Sequence, residues 1–161
     1  MSNTDRGTFL QSAGLAGLAS AMSSAAVAQG TPALEKAKTE APASKHSIRF
    51  SVIGLDHAHI YSMTAAIQRG GGKLVAVYGS DPKQIADFRA KLGDVKVARS
   101  EDEILQDKSI QLIAGAAIPD RRAPIGIRAM QAGKDYLADK PGITTLEQMA
   151  EVGKTVVSSG R

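Results

Sequence analysis

From Ile48 to Arg161 short apolar runs alternate with stretches of helical period, separated by glycines and prolines. Apolar runs of four to six residues predict strands at Ile48–Ile53, Leu74–Tyr78, Val95–Ala98, Ile110–Gly115 and Asp135–Ala138. Between them, Ile60, Met63, Thr64 and Ile67 recur at helical spacing over Ala58–Gln68, and Ile85, Phe88 and Leu92 do so after Asp81-Pro82. Ser100-Glu-Asp-Glu103 has the capping-box pattern and opens a short helix. Two further helices are predicted over Ala123–Ala132 and Thr144–Ser158. Strands separated by helices pair in parallel, because parallel neighbours need a crossover and the helix supplies it. Right-handed crossovers place those helices on both faces of the sheet. The expected fold is therefore α/β, a doubly wound parallel sheet, with ligands beyond the carboxyl ends of its strands.

Composition removes several alternatives. The chain of 161 residues has no cysteine, so a disulfide framework, a thiolate metal site and a cysteine nucleophile are excluded. Its hydrophobic fraction of 43% is too high for a wholly disordered chain. At 4% aromatic it lacks stacking residues for single-stranded nucleic acid, and a net charge of +4 is no nucleic-acid footprint.

The first 28 residues read as an export signal: Arg6 near the start, an Ala/Gly/Leu-rich run from Ala13, and Ala26-Val27-Ala28 as the cleavage point. The run is shorter than the roughly 20 residues that span a bilayer. Residues 29–47 carry two prolines and mixed charges without apolar period, a linker. The expected layout is a leader at 1–28, a linker at 29–47 and one domain at 48–161, exported to the periplasm.

Five loops follow the strand ends. Gly54-Leu-Asp56-His57-Ala-His59 stands where a dinucleotide fold has Gly-x-Gly-x-x-Gly; Gly54 keeps the turn, while Asp56 and His59 occupy the second and third glycine positions. A helix N-terminus there suits an anion. Asp56 is equally a natural N-cap for that helix, and His57 or His59 can donate to a phosphate, to substrate, or simply pack. No carboxylate set accompanies the histidines in sequence, so no metal site is expected. The second strand runs into Gly79-Ser80-Asp81, 25 residues after Gly54. An acid here holds the ribose hydroxyls of NAD. Gly79 and Ser80 repel a 2′-phosphate less, and Lys83 can pair with one, which tilts the expectation from NAD toward NADP. Asp81 as a helix cap and Lys83 as a solvated residue is the structural alternative. Ala117 and Pro119 follow the fourth strand in a small-residue loop that a flat ring can approach. Arg121 and Arg122 beside it read as solvated. Asp139-Lys140-Pro141 follows the fifth strand, and a cation there can orient a hydroxyl or carbonyl and stabilise developing alkoxide charge. A surface ion pair is the plainer alternative.

Together these loops resemble the N-terminal domain of the Gfo/Idh/MocA family, which includes glucose-fructose oxidoreductase and inositol dehydrogenase. The resemblance covers Ile48–Arg161 and is carried by Ile118-Pro119-Asp120 and by Ala132-Gly133-Lys134-Asp135-Tyr136-Leu137-Ala138-Asp139-Lys140-Pro141, the counterpart of Ala-Gly-Lys-x-Val-Leu-x-Glu-Lys-Pro. It implies an NAD(P)-dependent oxidoreductase acting on a sugar or polyol, with Lys140 near nicotinamide and substrate. It also implies twin-arginine export, although Asp5-Arg6-Gly7 carries one arginine. Family enzymes continue into a second α/β domain that covers the nicotinamide. Without it, cofactor binding with little turnover is expected, as for a fragment or stand-alone module. The competing expectation is a non-catalytic nucleotide-binding module or partner subunit. A flavodoxin-like mononucleotide binder shares the fold class but leaves Asp139-Lys140-Pro141 unexplained.

Overall fold

In the computed structural model, which describes residues 47–161, the expected alternation is present with small boundary shifts. The leader lies outside the described residues, as does the linker up to residue 46. Five strands are formed: β1 (Arg49–Ile53), β2 (Lys73–Tyr78), β3 (Lys96–Val97), β4 (Leu112–Gly115) and β5 (Asp135–Ala138). The helices are α1 (His59–Arg69), α2 (Pro82–Leu92), α3 (Glu101–Gln106), α4 (Pro119–Gln131) and α5 (Leu146–Ser159). All pairings are parallel, in the order β3-β2-β1-β4-β5. The order reverses between β1 and β4, the place where a doubly wound sheet opens a crevice.

Side-chain alternation along the buried strands divides the core in two. Phe50, Val52, Val77 and Ala114 pack with Ile60 of α1 and Phe88 of α2. Ile53, Ala76 and Ile113 pack with Ile104 and Leu105 of α3 and Ile125 and Ala129 of α4. Fully burying a side chain such as Phe50 or Phe88 stabilises the fold by about 1.5–3 kcal/mol each. The register shifts between Phe50 and Val52, and there the buried Ser51 hydroxyl accepts from the amide of Ala76 at 3.1 Å. The hydroxyl thus satisfies a backbone donor where the ladder is irregular.

The largest boundary correction is α4. Its helix begins at Pro119, four residues before the expected Ala123, with proline in the first turn where no amide hydrogen bond is lost. Arg122 is thereby helical rather than part of a loop. Among the described residues, no helix is long and apolar enough to cross a membrane.

Candidate functional site

The reversal between β1 and β4 opens a cleft of about 320 Å³ at the carboxyl edge. Gly54, Asp56, Gly79, Ser80 and Ala117 line it, five of the expected residues, together with Tyr78, Glu101, Ile118, Arg121 and Ile125. The ends of β1 and β4 are stitched by bonds from the Ala116 amide to the Gly54 carbonyl (3.2 Å) and from the His57 amide to the Ala116 carbonyl (2.9 Å). That approach is why residue 54 is glycine. Its φ is +87°, and a Cβ would lie 2.6 Å from Cβ of Ala117 and 2.9 Å from its backbone.

The helix starts divide into two groups. α2, α3 and α5 are capped by side chains: Asp81 accepts from the Lys83 amide, Ser100 from Glu103, and Thr145 from Gln148. α1 and α4 have no side-chain cap. These two flank the β1/β4 crevice. Their N-terminal ends bring partial positive charge to the crevice, while the amides of His59, Ile60 and Tyr61 in α1 and of Arg121 in α4 already donate to neighbouring groups of the chain. Asp56 corrects one expectation here: the N-cap of α1 is Ala58, and Asp56 is exposed at the cleft instead of capping.

Beside the cleft lies a second cluster that the sequence did not disclose as one. Asp139 is buried (6% exposed) rather than part of a surface pair. Its Oδ1 lies 2.9 Å from Nδ1 of His59, and its Oδ2 lies 3.2 Å from Nδ1 of His57 and 3.2 Å from Nη2 of Arg122. Burial pushes the Asp139 carboxyl up, but the bonds from His59 and the Lys140 amide, with Arg122 nearby, outweigh it and the net direction is down. Arg122 is 1% exposed, which overturns its reading as solvated. Its Nε donates to the Ala117 carbonyl at 2.6 Å, and Nη1 donates to the carbonyls of Lys140 and, at 3.2 Å, Pro141. One guanidinium thus ties the loop after β4 to the loop after β5. Lys140 itself is exposed, next in chain to the aspartate that touches the histidines of the opening turn.

Two expected residues stand outside both groups. Lys83 is paired with Asp87 at 2.7 Å on the surface of α2, and that partner raises its pKa. Pro119 is exposed at the start of α4 and is not among the cleft-lining residues. Arg121 and Glu101, 3.9 Å apart, line the cleft and were not expected there. The signal for Arg122 was present: it falls on one helical stripe with Ile125, Gly126 and Ala129, provided the helix starts at Pro119.

This geometry defines a parallel α/β nucleotide-binding domain. A family model described as the oxidoreductase family GFO_IDH_MocA, NAD-binding Rossmann fold, matches residues 48–161, and the chain belongs to that family. A protein from Erwinia carotovora atroseptica SCRI1043, held to be an oxidoreductase, is 42% identical with a TM-score of 0.69; the match covers 71% of this chain and 34% of that one. The WlbA dehydrogenase of Bordetella pertussis, solved with NADH and UDP-GlcNAcA, is 21% identical with a TM-score of 0.64, covering 71% and 35%. Biliverdin reductase of Synechocystis sp. PCC 6803, solved with biliverdin and NADP+, is 22% identical with a TM-score of 0.60, covering 71% and 36%. The last two show the fold alone. The chain spans about a third of the length of these solved proteins. No curated protein matches it.

Proposed function

We propose that the domain holds NAD(P) across the β1/β4 crevice, with the diphosphate on the amides at the starts of α1 and α4. The carrying observation is the cleft at the sheet's reversal point, lined by Gly54, Gly79, Ser80 and Ala117 and flanked by the N-terminal ends of α1 and α4. Gly54 lets backbone approach the diphosphate, and Ala117 and Ile118 offer a flat apolar wall. Ser80 lies in the cleft while the Asp81 carboxylate is engaged as the cap of α2. The end of β2 therefore presents a hydroxyl rather than an acid to the ribose, and the Arg121 guanidinium, which lines the cleft with the carboxylates of Asp56 and Glu101, tilts the reading toward the 2′-phosphate of NADP. In the whole enzyme the reaction is hydride transfer between nicotinamide and a hydroxyl-bearing carbon of a sugar or polyol. Lys140 there assists the oxygen as charge develops on it. The leader at 1–28 delivers the protein to the periplasm in this reading.

Fluorescence titration of the full chain with NADPH and NADH tests it. Saturable binding is expected, with Ser80→Asp weakening NADPH more than NADH and Lys140→Ala leaving affinity unchanged. Absence of binding at millimolar cofactor would overturn the proposal.

A further inference from the structure

The cluster beside the cleft has chemistry that dinucleotide binding does not use. We propose that His57, His59 and Asp139 form a chelating site for a divalent transition metal ion of the zinc, cobalt or iron(II) type.

Three observations carry it. First, one ligand atom from each residue lies within 4.8 Å of the others, and the two histidine–carboxylate distances are 2.9 and 3.2 Å. With bonds of about 2.0–2.2 Å, ligands on one metal sit about 3 Å apart at right angles and about 3.4 Å apart in a tetrahedron. The 2.9 and 3.2 Å separations fall in that range, on Oδ1 and Oδ2 respectively, so Asp139 would chelate through both oxygens.

Second, the hydrogen bonding is incomplete in a way a cation completes. Nδ1 of His57 lies 3.2 Å from Oδ2 of Asp139 and 3.4 Å from the amide of His59. Oδ2 of Asp139 is a buried atom without a hydrogen-bond partner among the described residues. Arg122 lies at ion-pair distance from that oxygen but outside hydrogen-bond geometry. An orphaned buried carboxylate oxygen is thus aimed at an imidazole nitrogen, a pair that a shared cation would satisfy.

Third, the site is held and reachable. Asp139 is oriented by Arg122, itself tied to three carbonyls, which is the outer support that ligating carboxylates have in metal centres. The histidine side chains are 47% and 45% exposed, so an ion has an entry path. Two imidazoles and one carboxylate select borderline metals over calcium or magnesium and leave further coordination positions open.

The site does not rest on the dinucleotide reading, and its test contains no nucleotide. Metal-free full chain is titrated with Co²⁺ and followed by its visible d–d absorption and by calorimetry. One equivalent is expected to bind with a visible band, and Zn²⁺ is expected to displace it. His57→Gln and His59→Gln are each expected to lower affinity by more than about tenfold, with unchanged circular dichroism. Both variants retain His46, the third histidine of the chain, so adventitious binding there is controlled. No visible band with the wild-type chain, or a band of equal strength in the His57→Gln/His59→Gln double variant, would overturn the proposal.

Discussion

The two edges of the sheet carry two hollows of opposite character. At the amino edge, a groove of about 560 Å³ is lined by Leu105, Gln106, Lys108, Ile110, Ala132, Gly133 and Lys134. The carboxyl-edge cleft is smaller, about 320 Å³. Volume alone would choose the wrong one. In a parallel α/β sheet the helices run back toward the amino edge, so α3 and α4 end there and bring carbonyls and negative partial charge. The buried Lys134 meets that edge, donating to the carbonyls of Asp107 (2.6 Å) and Ile110 (2.9 Å), and burial lowers its pKa. The carboxyl edge collects helix starts, two of them uncapped. Backbone polarity, more than cavity size, marks where an anionic dinucleotide belongs.

Among the described residues each edge has one buried cation, Arg122 or Lys134, and removing each tests this division. The larger effect is expected from Arg122→Met, which leaves Asp139 buried without its guanidinium and severs the loops after β4 and β5. A loss of about 3–5 kcal/mol in urea unfolding is expected, together with loss of dinucleotide binding. Lys134→Met is expected to cost less, about 1.5–3 kcal/mol for charge-assisted bonds to two carbonyls, with cofactor affinity intact in the fraction that remains folded. If Lys134→Met weakened cofactor binding as much as Arg122→Met, the two edges would not be functionally distinct.

Much of this was legible in the residues. Short apolar runs, stretches of helical period and the capping box at Ser100 marked all ten elements of the described residues, and Asp81-Pro82 set the start of α2. Gly54, Gly79, Ser80 and Ala117 were found because a turn directly after an apolar strand must lie at the carboxyl edge. Side-chain networks between distant loops were less legible. The histidines of the first loop and Asp139 of the last are 80 or more positions apart, and only the parallel neighbourhood of β1, β4 and β5 brings them together. Asp56 misled because any aspartate before a helix looks like a cap, and it takes backbone geometry to show that α1 starts two residues later. Arg122 misled because reading α4 from Ala123 left it in a loop, where arginine is normally solvated.

Cofactor is proposed to meet the carboxyl edge through backbone amides. Amide chemical shifts of the ¹⁵N-labelled full chain, followed as NADPH is added, test it most directly. The account expects saturable shifts at Gly54–His59, Gly79–Ser80 and Ala117–Ile118, with Gln106–Ile110 and Gly133–Lys134 unmoved. Shifts centred on the Lys134 groove, or none at saturating cofactor, would contradict it.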